Sequence, residues 1–221
     1  MSKIIVLMGA PGAGKGTQAR LLQERLHLPQ ISTGDMFRAL AQTQSPLAEE
    51  VRAIQQAGNL IPDELVIRVV EDRTAHDDCR NGYILDGFPR TAAQAEMLEQ
   101  LAGRQHKKLS TIFVDVPLEL LEKRITGRLS CPICGEIYNL YFRPAKVDNR
   151  CDLHPEAQLT HRADDTSEKV RVRLDTYNRE TEPLLDYYQR TGRLHRVNGT
   201  ESPEYIYREI ERIVNTEVAR T

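Results

Sequence analysis

A chain of 221 residues with 40% hydrophobic and 28% charged residues has the composition of an ordinary globular protein of one or two domains. Its formal net charge of −2 gives no general attraction for nucleic acid or an anionic membrane, so a strong anion site must be a local basic cluster. No apolar run approaches the roughly 18 residues that span a bilayer, and no secretory signal precedes the first strand, so we expect a cytoplasmic protein.

The first predicted element is a buried β-strand over residues 4–8, which leads into the glycine-rich sequence GAPGAGKGT and then into a helix. Strand, glycine-rich turn and helix in this order are typical of a phosphate-binding loop. Glycines let backbone N–H groups point inward, the helix N-terminus adds partial positive charge, and Lys15 adds a full charge near the β- and γ-phosphates. The predicted phosphate contacts are Gly12, Ala13, Gly14, Lys15, Gly16 and Thr17.

One position departs from the general phosphate-loop pattern, which places Ser or Thr directly after the lysine to bind Mg²⁺. Gly16 occupies that position, and Thr17 follows it. We therefore expect a magnesium ion to be held through phosphates and water rather than by a hydroxyl next to the lysine.

Residues 32–61 form a predicted helical insertion between elements of the core. One helix is expected to start after Thr33 and a second at Pro46, with Gly58 ending the second. Two interpretations of Thr33 and Arg38 stay open from these residues alone. They are either a helix cap with an exposed arginine, or a pair of ligand-binding side chains.

Further strands are predicted over residues 82–86, 111–116 and 194–197, and helical stretches separate them. This alternation predicts a parallel sheet whose ligands lie at the carboxyl ends of the strands. An aspartate that ends a strand downstream of a phosphate loop, as Asp86 does, is typical of a magnesium site, although it can also form a plain turn. One long helix is predicted from about residue 167 to 189.

The cysteines have the spacing of a metal site. Cys131 and Cys134 are separated by two residues, and so are Cys151 and His154. Paired ligands at this spacing suit tetrahedral Zn²⁺, and a segment of about 40 residues with little core would gain stability from a metal. Asp152 lies next to Cys151 and is the alternative fourth ligand.

The chain resembles the adenylate kinases that have a long, metal-binding lid. The likeness covers essentially the whole chain and rests on the strings GAPGAGKGTQA, ISTGDMFR, DGFPRT and LTHRADD. It implies an α/β fold of the P-loop type with three layers and a five-stranded parallel sheet. The implied parts are a core of residues 1–31, 62–126 and 165–221, a helical AMP-binding flap of residues 32–61, and a small β-rich, zinc-binding lid of residues 127–164.

The resemblance also implies roles for individual residues. Nucleotide-binding positions of the flap and its surroundings are Thr33, Arg38, Leu60, Ile61, Gly87, Arg90 and Gln94, of which Thr33, Arg38, Arg90 and Gln94 would bind AMP. Residues around the phosphates are Lys15, Arg124, Arg128, Arg162 and Arg173. Tyr138 would lie near the ATP adenine, and Asp86 would hold Mg²⁺ through water.

The activity implied is ATP + AMP ⇌ 2 ADP. The second pKa of the AMP phosphate is about 6, so the nucleophile is already largely dianionic at neutral pH and needs no general base. Positioning and charge neutralisation by arginines, Lys15 and Mg²⁺ would carry catalysis, while the lid and flap exclude water. We expect a monomer whose partners are ATP, AMP and ADP.

Other functions fit the sequence less well. A UMP/CMP kinase would share the core, but the long metal-binding lid argues against it. A GTPase would need an Asn-Lys-x-Asp element after a strand, which the sequence lacks. A zinc-ribbon module for nucleic acid is disfavoured by the net charge and by the basic residues placed around a phosphate loop.

Overall fold

The structure is a computed structural model that describes residues 3–57 and 59–219. Gly58, the predicted end of a flap helix, lies outside the described residues. The strands are β1 Lys3–Met8, β2 Gln30–Ser32, β3 Gly82–Asp86, β4 Lys108–Asp115, β5 Arg128–Ser130, β6 Ile137–Asn139 and β7 Leu194–Asn198. The helices are α1 Lys15–Leu26, α2 Thr33–Ala41, α3 Pro46–Gln56, α4 Asp63–Thr74, α5 Ala92–Arg104, α6 Leu118–Thr126, α7 Ser167–Thr176, α8 Leu184–Arg190 and α9 Pro203–Ala219.

The central sheet is parallel, and across the described part of the chain it has five strands in the order β2-β3-β1-β4-β7. The predicted α/β fold with a five-stranded parallel sheet is thereby confirmed. Strand β1 lies at the centre, where Ile4, Ile5 and Val6 are fully buried. Helices cover both faces of a parallel sheet, so its central strands read as continuous apolar runs rather than as alternating ones.

Two hydrophobic cores lie on opposite faces of the sheet, because successive strand side chains point to opposite sides. Ile4 and Val6 belong to the core formed with helices α2 to α5 and α8. Ile5 and Leu7 belong to the core formed with α1, α6 and α9. The result is three layers, with the sheet in the middle.

The predicted lid, residues 127–164, has a small core of its own. Strands β5 and β6 pair in an antiparallel manner, and Leu129, Tyr138 and Leu159 pack with two of the cysteines. This core is much smaller than the two that flank the central sheet, so little apolar burial stabilises the segment.

The long helix predicted for residues 167–189 is wrong in one respect, since α7 and α8 are separate helices. Between them the backbone forms a π-helical turn over Tyr177–Thr181, in which Glu182 N donates to Tyr177 O at 2.9 Å. Pro183 follows, and because proline lacks an N–H it cannot continue a regular α-helical ladder. The turn places the Thr181 hydroxyl where it donates to the backbone oxygen of Arg90 at 2.9 Å.

None of the helices in the described residues is both long enough and apolar enough to cross a membrane.

Candidate active site

The carboxyl ends of β1, β2 and β3 bring the predicted site residues together. Asp86 pairs in register with Leu7 of β1 and with Ser32 of β2, so the glycine-rich loop and the start of α2 lie on either side of it. The Thr33 hydroxyl donates to the backbone oxygen of Gly87 at 2.9 Å. This edge of the sheet is where a parallel α/β fold binds ligands.

The glycines of the loop at residues 9–17 are required by its geometry. Gly9 has a φ of +144°, and a Cβ there would lie 2.7 Å from the backbone oxygen of Val114. Gly12 has a φ of +84°, and a Cβ there would lie 2.8 Å from Ile125. The loop can therefore pack between β4 and α6 and present its N–H groups only if these residues have no side chain.

Lys15 lies across the loop. Its Nζ donates to the backbone oxygen of Gly9 at 2.7 Å and to that of Ala10 at 3.0 Å. Burial lowers the pKa of Lys15 to about 8, and the nearby Asp86 opposes this shift. The ammonium group is thus desolvated, and an anionic phosphate beside it would favour its charged form.

The glycine that replaces the usual Ser or Thr after the lysine lies beside the carboxylate of Asp86. A Cβ on Gly16 would lie 3.4 Å from Asp86 Oδ2. The absence of a side chain at this position keeps the space next to the carboxylate open, between the strand end and the first turn of α1. The carboxylate of Asp86 therefore lies beside the loop with no side chain of Gly16 between them.

A cavity of about 420 Å³ lies between α2, α3 and the segment that runs from Arg162, near the end of the predicted lid, into α7. Arg90 and Arg173 of its lining lie close enough to Lys15 of the loop to influence its pKa. All seven residues that the resemblance assigned to nucleotide binding around the flap line this cavity, together with Arg162 and Arg173. Sequence reasoning missed Arg52 and Lys169, which also line it. Their signal was weak, because single basic residues on predicted helices are common at protein surfaces.

Arginines converge on the cavity, where burial and, to a smaller extent, their mutual repulsion lower the pKa values of two of them. Burial, reinforced by Arg173, lowers the pKa of Arg90 to about 10. Burial, reinforced by Arg128 and Arg38, lowers the pKa of Arg162 to about 10. Cations that are placed so close to one another and desolvated form a site for a polyanion.

Two acidic side chains hold Arg128 and Arg173 in place, and sequence reasoning gave them no role. Asp165, 6% exposed, accepts from Arg128 Nε at 2.8 Å and from Arg173 Nη1 at 2.9 Å. Asp164 lies 3.1 Å from Arg173 Nη1, and the Arg90 Nε donates to the backbone oxygen of Gly87 at 2.7 Å. The run LTHRADD contains both acidic residues, but nothing in it indicates Arg128 and Arg173 as their partners.

Arg124 and Tyr138 lie outside the residues that line this cavity. Arg124 Nη1 donates to the backbone oxygen of Gly199 at 2.9 Å, and its guanidinium lies over the ring of Phe142, 5.7 Å from the centroid. The Tyr138 ring is 2% exposed, and its hydroxyl accepts from the backbone N–H of Asp152 at 2.8 Å. The ring is therefore enclosed within the lid, and a contact with adenine would have to come from its backbone.

The predicted metal ligands converge. The ligand atoms of Cys131, Cys134, Cys151 and His154 all lie within 4.8 Å of one another. The sulfurs of Cys134 and Cys151 are 3.8 Å apart, which matches the sulfur separation of about 3.8 Å in a tetrahedral zinc site with Zn–S of about 2.3 Å. Asp152 is directed elsewhere, because its Oδ1 accepts from the backbone N–H of Lys146 at 2.9 Å. The cluster with His154 as fourth member could bind a metal ion.

An ion pair joins the lid to the core. Arg20 of α1 lies 2.7 Å from Glu136 Oε2, and Arg143 of the lid lies 2.5 Å from Glu136 Oε1. Glu136 is 9% exposed, so this carboxylate is held between two cations with little solvent. The contact fixes the lid next to the helix that follows the phosphate loop.

Comparison with known proteins identifies the family. The sequence model of the family described as "Adenylate kinase" matches residues 7–193. The adenylate kinase of Thermodesulfovibrio yellowstonii is 45% identical over 207 residues, which cover 93% of this chain and 96% of that protein. The adenylate kinase of Clostridium botulinum (strain Loch Maree) is 44% identical over 211 residues, which cover 95% and 97%. The chain therefore belongs to the adenylate kinase family.

Proposed function

We propose that this chain catalyses the reversible transfer of the terminal phosphoryl group of ATP to AMP, which gives two ADP. The observation that supports it best is the cavity beside the phosphate loop, in which Thr33, Arg38, Arg90 and Gln94 meet Arg162 and Arg173. Family membership gives the same reaction, since the relatives reported above are all adenylate kinases.

The arrangement suits a mechanism based on charge neutralisation. The AMP phosphate is largely dianionic at neutral pH, so it attacks without a general base. The obstacle is the approach of two polyanions, which Lys15, Arg90 and the arginines around Asp165 would offset. Planar guanidinium groups suit phosphate oxygens that are shared between donor and acceptor.

Two metal ions belong to this proposal. Mg²⁺ bound with ATP supplies further neutralisation of the phosphates, and Asp86 would hold it through water. Zn²⁺ would be bound by Cys131, Cys134, Cys151 and His154, where four protein ligands leave no open position and give it a structural role. We propose further that the protein is a cytoplasmic monomer with no nucleic-acid or membrane partner.

The preference of the enzyme among acceptor nucleotides distinguishes this proposal from the UMP/CMP kinase alternative. At fixed ATP, kcat/KM should be at least about 100-fold higher for AMP than for CMP or UMP, because a base that leaves buried polar groups unpaired is strongly disfavoured. Phosphoryl transfer to each nucleoside monophosphate is measured by ADP formation. Comparable kcat/KM for AMP and CMP would contradict the assignment.

The ion pair between α1 and the lid is expected to influence ATP binding. Lids that close over substrate exclude water and commit it to reaction, and adenylate kinase lids are a known example. Removing the pair in Arg20→Ala or Glu136→Gln should raise KM for ATP about threefold, without lowering kcat, because the closed arrangement loses a contact worth roughly 0.5–1 kcal/mol.

The double variant provides the control for this pair. If Arg20 and Glu136 act together, Arg20→Ala combined with Glu136→Gln should raise KM no further than either change alone. Additive effects would mean that the two side chains act separately, and the lid contact would then have no part in ATP binding.

A further inference from the structure

Asp63, the first residue of α4, contacts the side chain of Gln94 in α5 and that of Thr91, which caps α5. Its Oδ1 accepts from Gln94 Nε2 at 2.7 Å, and its Oδ2 accepts from the Thr91 hydroxyl at 2.9 Å. Gln94 lines the cavity and is 1% exposed. Asp63 itself does not line the cavity, and no role for it followed from the sequence.

The partners of Gln94 determine which way round its amide lies. A carboxylate only accepts hydrogen bonds, so the group that faces Asp63 must be the Nε2 amino group. On the other side, Gln94 Oε1 accepts from the backbone N–H of Arg90 at 2.8 Å, and a backbone N–H only donates. An amide turned by 180° would face a donor with its amino group and a carboxylate with its oxygen.

This fixed amide still has hydrogen-bonding capacity. Nε2 carries two hydrogens and Oε1 has two lone pairs, and each uses one of these within the protein. One donor and one acceptor therefore remain, in an order that cannot be reversed. Adenine offers the matching pair, the N1 acceptor and the N6 amino donor, whereas guanine and hypoxanthine offer an N1–H donor and an O6 acceptor in the reverse order.

We propose that Asp63 is a positioning residue that determines base specificity: its carboxylate locks the Gln94 amide in the orientation that accepts adenine and rejects 6-oxopurines. The inference rests on the proposed function, in which Gln94 reads the base of AMP. The Thr91 hydroxyl holds the second carboxylate oxygen, so the carboxylate itself has a fixed direction.

The test measures the ratio of kcat/KM for AMP to kcat/KM for inosine monophosphate, whose base has the 6-oxo pattern without the 2-amino group of guanine. In Asp63→Ala this ratio should fall about tenfold, the effect of losing one hydrogen bond to a charged group. Asp63→Asn retains an acceptor oxygen and should keep most of the discrimination. Because the ratio compares two bases on one sample, partial loss of folded enzyme does not change it.

Glu64→Ala is the matched control, since Glu64 is the neighbouring acidic residue in the first turn of α4 and is exposed. Its ratio should equal that of the wild type, which separates the effect on Gln94 from a general effect on the helix. Asp63→Ser, with a side chain too short to replace the carboxylate, serves if the alanine variant does not fold.

The outcomes separate the two proposals. A wild-type enzyme that shows no preference for AMP over inosine monophosphate would overturn the assignment of Gln94 as the base reader, and with it this part of the proposed function. A wild-type preference that persists unchanged in Asp63→Ala and Asp63→Ser would overturn the inference about Asp63 alone.

Discussion

Replacing Lys15 or Arg90 with alanine is expected to lower kcat by at least about 100-fold, the usual effect of removing one preorganised group that stabilises transition-state charge. Lys15 lies across the phosphate loop, and Arg90 lines the cavity with Arg173 close enough to help lower its pKa. Both charges would face the phosphates as they approach each other. The measurement is steady-state ADP formation at saturating ATP and AMP.

Neither substitution should unfold the protein. The hydrogen bonds of the Lys15 ammonium go to two loop carbonyls, and burial disfavours its charge in the folded state. Because the folded pKa of about 8 lies below the unfolded value of about 10.4, the folded state binds fewer protons than the unfolded state between these values. The wild type should therefore gain stability relative to Lys15→Ala as pH rises from 7 to about 10, which thermal melting can measure.

A matched substitution shows whether loss of any arginine is harmful. Arg212 on α9 is exposed and lies 3.0 Å from Glu209, away from the phosphate loop. Arg212→Ala should retain the kcat of the wild type, since surface ion pairs contribute little. Near-normal kcat in Lys15→Ala or Arg90→Ala would remove that residue from the reacting centre.

Much of the site could be predicted from the sequence because local patterns define it. The phosphate loop needs a strand, glycines at fixed spacing and a helix, all within residues 4–26. The parallel sheet follows from alternating strands and helices, and it brings Asp86 and Thr33 to the same edge as the loop. The two pairs of metal ligands, each separated by two residues, likewise indicated the cysteine cluster.

What could not be predicted depends on side-chain pairing over long distances. Asp63 and Gln94 are 31 positions apart, and Glu136 and Arg20 are 116 apart, so no local periodicity relates them. The interruption between α7 and α8 also escaped prediction, because apolar residues at helical spacing lie on both sides of it, Val170 and Leu174 before it and Leu184 and Tyr188 after it. Pro183 is the one signal in this segment that indicates the interruption.

The same limit applies to the cysteine cluster, whose fourth ligand the sequence left open between His154 and Asp152. The structure brings His154 to the three cysteines and turns Asp152 toward the backbone of Lys146. Which of the two residues is the fourth ligand depends on the backbone conformation between Asp152 and His154. The spacing of the residues in the sequence does not determine that conformation.

Removing a metal from this cluster is expected to lower the melting temperature by about 10 °C. The four ligands close a loop of residues 131–154 much as a disulfide would, and a cross-link of this size contributes about 3 kcal/mol, equivalent to roughly 6–12 °C in a protein of this length. Activity at moderate temperature should fall much less, since the cluster has no open coordination position and lies in the lid, away from the phosphate loop.

Elemental analysis tests the underlying assumption. The purified protein should contain about one zinc per chain. The metal should be lost when Cys131→Ser is combined with Cys134→Ser, and retained in Cys79→Ser, because Cys79 is buried in the core beside Arg73 and does not belong to the cluster. His154→Ala should weaken metal retention, whereas Asp152→Ala should not. A wild-type protein that is free of metal and no less stable for it would refute the zinc site, and full retention of metal in His154→Ala would move the fourth ligand to another group.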